Sequence, residues 1–194
     1  MSQDPVLEKR ELRRRLHAAL AALPERERRD GSAQACERLR SQPIWKNARA
    51  VLFYAALPTE IDLSDLLQEA LREGKVVGLP RFSKEIAAYE AVQIRNFTDD
   101  CAPGKYGIKE PLTQCPHLPL NQLDLVLAPG VGFNATGRRL GRGRGYYDRL
   151  LAQIRGVKCG VAFDQQIAGQ IPREHHDVHM NCILTPTRWL EISE

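Results

Sequence analysis

Between residues 123 and 154 a short apolar run, a loop of glycines and arginines, and a helix follow one another. This unit restricts the chain to few architectures. The run "LDLVLAPG" (123–130) has the apolar composition of a buried strand. "GYYDRLLAQI" (145–154) places Tyr147, Leu151 and Ile154 on one face at helical spacing. The same alternation recurs along the chain. "AVLFYA" (50–55) predicts a buried strand, "IDLSDLLQEALREG" (61–74) a helix stopped at Gly74, and "KVVGLP" (75–80) a second strand. "AAYEAVQI" (87–94) and "VKCGVAF" (157–163) read as strands, and "NCILTP" (181–186) and "TRWLEI" (187–192) as short edge strands. Strands alternating with helices predict an α/β fold, a single three-layer α/β/α sandwich with a mostly parallel sheet. In such sheets ligands lie beyond the carboxyl ends of the strands, which is where residues 129–145 fall.

The remainder fits around this core. Leu12, Leu16, Leu20 and Leu23 mark an amphipathic helix over 6–23, and Pro24 opens a second helix running to about Arg40. Residues 95–122, with Pro103, Pro111, Pro116 and Pro119, read as irregular. The 194 residues suit one domain, 1–194, in which an N-terminal helical segment (4–41) packs on an α/β core (48–194). No apolar run is long enough to span a membrane, and the first residues lack the apolar segment of a secretory signal. Five cysteines, an odd number with no C-x-x-C pair, fit a reduced, cytoplasmic protein.

Charge is concentrated rather than spread. "KRELRRR" (9–15) and "RRLGRGR" (138–144) together hold nine of the 28 basic residues, and the rest of the chain is mildly acidic. Two compact clusters suit a small, highly charged anion better than a nucleic-acid face. In "GRRLGRGRGYYDRLLA" (137–152) the glycines let a ligand approach backbone N–H groups. The loop leads into a helix start, where N–H donors are unpaired, and the arginines supply forks that fit phosphate oxygens. Asp148 offers the kind of carboxylate that Mg²⁺ takes beside a polyphosphate. The spacing G-x-G-x-G matches neither the P-loop nor the dinucleotide fingerprint. A plain surface turn and an RNA contact remain open at this stage. "HHDVH" (175–179) offers a conceivable zinc site, with a solvated loop as the simpler reading.

The chain resembles the 5-formyltetrahydrofolate cyclo-ligase (methenyltetrahydrofolate synthetase) family over nearly its whole length. "KRELR" (9–13), "YAALPTEIDLSDLL" (54–67), "GKVVGLPR" (74–81) and "KYGIKEP" (105–111) match family segments in order. "LVLAPGVGFNATGRRLGRGRGYYDRLL" (125–151) resembles the family signature P-G-x-x-F-D-x-x-G-x-R-L-G-R-G-x-G-Y-Y-D. The resemblance implies conversion of 5-formyltetrahydrofolate and MgATP to 5,10-methenyltetrahydrofolate, ADP and phosphate. It also implies the site residues. ATP would be bound by Lys9, Arg10, Arg13, Arg139, Leu140, Gly141, Arg142, Gly143, Arg144, Gly145, Tyr146 and Tyr147, although Arg10, with Arg14 and Arg15, also reads as solvent-facing. Arg142, Arg144 and Tyr147 would serve catalysis, and Ala55, Glu60, Tyr106 and Tyr147 would line the folate pocket, Glu60 holding the pterin. Asp148 would ligate Mg²⁺. Asn134 stands where the signature has Asp, and Asn181 where some relatives place a second acidic metal contact. That leaves Asp148, phosphates and water to hold the ion. The expected partners are ATP and a folate, with no nucleic acid and no membrane, and the expected state is a monomer. The rival readings are a nucleic-acid-binding protein using segments 9–15 and 138–144, and a related ATP-dependent enzyme acting on another formyl or acyl substrate.

Overall fold

The computed structural model describes residues 4–104, 108–172, 174 and 177–192. Three helices open the chain: α1 (Pro5–Ala21), α2 (Glu25–Ser41) and the short α3 (Pro43–Asn47). Asp4 caps α1, its carboxylate accepting from the Val6 N–H at 2.9 Å, and Pro5 sits at the first helical position. The core then runs β1 (Ala50–Leu52), α4 (Ser64–Arg72), β2 (Val76–Ser83), β3 (Ala88–Ile94), β4 (Cys101–Pro103), β5 (Lys109–Pro111) and β6 (Leu125–Pro129). It continues with β7 (Gly132–Phe133), β8 (Arg139–Leu140), α5 (Tyr146–Ala152), β9 (Val157–Val161), β10 (Cys182–Leu184) and β11 (Trp189–Glu191).

A seven-stranded sheet in the order β11-β10-β9-β6-β1-β2-β3 forms the middle layer. The five central strands are parallel, and β3 and β11 add antiparallel edges. Strand alternation sorts the core onto two faces. Leu125 and Leu127 of β6 join Leu39, Trp45, Leu66 and Leu67 of the α2–α4 layer. Val126 and Ala128 face the other way, toward Leu150 and Leu151 of α5 and Phe133 of β7. This is the expected α/β sandwich with a mostly parallel sheet.

Several local expectations are corrected. The strand expected over 50–55 pairs only at Ala50–Leu52, and residues 53–63 form a loop beyond its carboxyl end. The helix expected from 61 begins at Ser64. Residues 181–186 were expected at an edge, but β10 is interior because β11 pairs outside it. Residues 95–122 hold the β4–β5 hairpin and a 3-10 turn at Leu120–Gln122. No described helix is long and apolar enough to cross a membrane.

Candidate active site

The strand order reverses direction at β1. The chain leaves β1 toward β2 on one side, while β6 lies on the other and leads on to β9. The loops after β1 and β6 therefore part at their carboxyl ends and open a crevice, the place where doubly wound sheets bind ligands. Glu60 comes from the first loop and Arg142 from the second. Arg142 Nη2 donates to Glu60 Oε1 at 2.7 Å across this crevice. The Leu57 N–H donates to Glu60 Oε2 at 3.0 Å, and the Tyr54 hydroxyl donates to the Ile61 carbonyl at 2.6 Å, so the loop is closed on itself. Glu60's side chain is only 11% exposed, whereas that of Arg142 is 54% exposed. Burial pushes the Glu60 carboxyl above the ordinary range, and the Leu57 N–H and the Arg142 charge oppose that push. Ala55, half-buried, lines the same loop.

The second loop is built in two parts. Its first half folds back as the β7–β8 hairpin, pinned to the sheet by the fully buried Phe133. Asn134 turns that hairpin: its Oδ1 accepts from the N–H groups of Thr136 and Arg138 and from the Thr136 hydroxyl. Asn134 is therefore a turn residue, its side-chain oxygen engaged within the hairpin. Asn181 accepts from the Lys158 N–H at the entry of β9, at the amino ends of the parallel strands, so it lies at the opposite end of the sheet from the crevice. The second half, Gly141–Gly145, is open. Gly143 (φ +92°) and Gly145 (φ +65°) occupy the left-handed region that disfavours side chains.

Helix α1 reaches this loop because of its apolar stripe. Leu12 and Leu16 pack on Val131 and Leu140, a small cluster of their own. That docking brings Arg13 onto the loop, where its Nε donates to the Gly141 carbonyl at 2.8 Å. The two basic segments, distant in sequence, thus meet at one place. Lys9 is handled differently. Its amine is buried, 2.6 Å from Glu174 Oε2 and 2.8 Å from Asp177 Oδ2. Arg10 is exposed on the far side of the helix turn, and Arg144 is exposed with no hydrogen bond or ion pair to the described residues.

Arg139 and Asp148 underlie the loop. Arg139 Nη1 donates to Asp148 Oδ1 at 2.8 Å and its Nε to the Pro129 carbonyl at 2.9 Å, while its guanidinium lies 5.2 Å from the Tyr147 ring centre. Leu140 is buried beside it. Tyr147 meets Tyr89 at 5.4 Å, and Tyr146 meets Phe82 at 5.1 Å, so both tyrosines join an aromatic cluster with the β2–β3 hairpin. Burial raises the Tyr147 hydroxyl pKa far above its ordinary value, so it stays protonated. Arg149 adds a clamp, donating to the Ala87 carbonyl at 3.0 Å with its guanidinium 5.0 Å from the Tyr146 ring centre.

Three contributors went unread in the sequence. His17 stands one turn beyond Arg13, and burial with the charges of Arg142 and Arg13 holds its imidazole below the ordinary pKa. The i, i+4 spacing from Arg13 was the available signal. Phe82 and Tyr89 had none, since their role depends on where a hairpin leans. Tyr106 lies outside the described residues, as do His175 and His176. Asp177, the acid of the same "HHDVH" stretch, is engaged with Lys9. Among the described residues no group of three His, Cys, Asp or Glu side chains could hold a metal. The five cysteines are buried and free, and burial pushes the thiols of Cys36 and Cys101 up to about 11, as suits packing residues. A groove of about 960 Å³ runs along the other flank of α1, its wall carrying Asp4, Glu8 and Glu11 together with Arg15 and Arg138.

Comparison with known proteins converges on one family. The model of the "5-formyltetrahydrofolate cyclo-ligase family" matches residues 6–186. A 5-formyltetrahydrofolate cyclo-ligase of Escherichia coli K12 is 30% identical over 172 residues, covering 87% of this chain and 94% of that one. A probable 5-formyltetrahydrofolate cyclo-ligase of Caenorhabditis elegans is 29% identical, covering 91% of both. The solved structure of the Aquifex aeolicus 5,10-methenyltetrahydrofolate synthetase superposes with a TM-score of 0.86 at 31% identity, over 96% of this chain and 93% of that one.

Proposed function

The chain belongs to the 5-formyltetrahydrofolate cyclo-ligase family. From that premise we propose that it closes the methenyl ring of 5-formyltetrahydrofolate, consuming ATP with Mg²⁺ and releasing ADP and phosphate. The observation that carries the reading is the crevice at the β1/β6 switch point, where an anion-seeking loop faces a buried carboxylate across 2.7 Å.

The formyl group on N5 is amide-like and a poor electrophile. Transfer of the γ-phosphoryl group to its oxygen gives an iminium phosphate and ADP. N10 then attacks the formyl carbon, loses its proton, and phosphate leaves with the former formyl oxygen. Phosphoryl transfer needs positioning and charge neutralisation more than a nucleophilic side chain. Arg13, Arg142 and Arg144, with the N–H groups of Gly141–Gly145, supply both around the triphosphate. Lys9 is a candidate phosphate ligand only if its two carboxylate partners give way, and Arg10 only at the outer edge. Arg139 holds Asp148 and Tyr147 in place beneath.

Asp148 fits Mg²⁺. A single carboxylate at a phosphate loop, completed by phosphate oxygens and water, is the donor set this ion prefers. When bound, the ion neutralises charge developing on the phosphates. Glu60 holds the pterin by accepting from paired N–H groups, and Ala55 and Tyr147 line the folate side. The two acceptor oxygens of an ionised carboxylate match that edge, and burial makes the match specific.

Purified protein should raise the ultraviolet absorbance of the methenyl product from 5-formyltetrahydrofolate only when ATP and Mg²⁺ are both supplied. Absence of turnover with both present would overturn the reading. Turnover of a different formyl or acyl compound in a substrate panel would redirect it.

A further inference from the structure

Glu60 and Arg142 are assigned above to different substrates, yet they bind each other. Among the described residues, theirs is the one side-chain hydrogen bond joining the loop after β1 to the loop after β6. We propose that this pair is a latch between the two pockets: Arg142 is a positioning residue for the folate site, withholding Glu60 until ATP draws the guanidinium away. The proposal rests on the functional reading given above.

The asymmetry of the pair supports it. Glu60 is fixed from behind by the Leu57 N–H, while Arg142 is half exposed and has no second partner among the described residues. Arg142 is therefore the member free to move. A triphosphate offers several charged oxygens to a guanidinium fork, against the single oxygen Glu60 gives it now. ATP entering the Gly141–Gly145 loop should win that competition. Once Arg142 leaves, Glu60 is a buried carboxylate with a single N–H donor, and an uncompensated buried charge is costly. Arg139, Tyr54, Tyr89 and Tyr147 are the other ionisable groups that sense it. None of them donates a hydrogen bond to it. A ligand edge with two N–H donors relieves that cost, so the folate binds better to the nucleotide-loaded protein. The coupling is reciprocal: a folate that captures Glu60 releases Arg142 and tightens ATP by the same factor.

The test is calorimetric titration of 5-formyltetrahydrofolate into the full chain, with and without Mg²⁺ and β,γ-methylene-ATP, which cannot transfer its phosphoryl group. In the unmodified protein the nucleotide should tighten folate binding by about tenfold, within the usual range of such couplings. Arg142→Ala, at a half-exposed site, should bind folate without nucleotide about as tightly as the unmodified protein binds it with nucleotide. The analogue should then change nothing. Arg142→Lys, which keeps a charge that can pair with Glu60, should recover part of the coupling. Equal coupling in Arg142→Ala, or weaker folate binding by that variant without nucleotide, overturns the latch alone. Failure of the folate to bind under every condition overturns the functional reading, and the latch with it.

Discussion

At Glu60, burial and pairing pull in opposite directions. Burial raises its pKa, and Arg142 and the Leu57 N–H lower it again without cancelling the rise. Only the ionised carboxylate accepts two donors. Folate binding should therefore be intact above the folded pKa of Glu60 and be lost as pH falls through it. The acid limb of kcat/KM for folate reports this titration. Arg142→Ala removes the cation that opposes the rise, so the limb should move to higher pH. Stability runs the other way. A carboxyl raised on folding favours the protonated form, so its contribution is present at acid pH and fades as pH rises through the folded value. Glu60→Gln should accordingly raise KM for folate with little change for ATP, while the melting temperature at neutral pH holds or rises. A matching loss of ATP affinity would remove Glu60 from the folate pocket. Arg142→Ala should also lower kcat by about 10²-fold, because it removes charge stabilisation at the transferring phosphoryl group. Unchanged kcat would exclude that role.

Among elements, those with many residues in regular period were legible and the short ones were not. β6, β9 and α4 announce themselves by apolar runs and spacing. The β7–β8 hairpin has two residues per strand, too few for any periodicity, and its placement depends on Phe133 reaching the sheet. There, a Cβ on Gly160 would meet the Phe133 ring. Gly160→Ala should therefore cost about 1–3 kcal/mol through overpacking, read as a lower urea midpoint. A variant as stable as the parent would show that the hairpin floats free of β9. The site residues divide in the same way. Arg139–Asp148 were readable as part of one motif, and Glu60 only through a matching segment. The partners of Lys9 lie more than 160 residues away, and no local pattern signals them.

For the molecule as a whole, sheet topology does what no single motif does. Two loops separated by some eighty residues become neighbours because β1 and β6 are parallel and adjacent while their connections diverge. Helix α1 completes the arrangement by docking Leu12 and Leu16 on the second loop, which carries one basic segment onto the other. The concentration of charge was visible in the sequence. That the two basic segments meet at one loop follows from this docking, and the interior position of β10 follows from pairing by β11; both are long-range outcomes.

The central claim is that this site moves a phosphoryl group onto the formyl oxygen. The most direct measurement starts from 5-formyltetrahydrofolate labelled with ¹⁸O in the formyl group and reads the released phosphate by mass spectrometry after turnover with MgATP. One labelled oxygen per phosphate is the predicted result. Methenyl product formed together with unlabelled phosphate would contradict it.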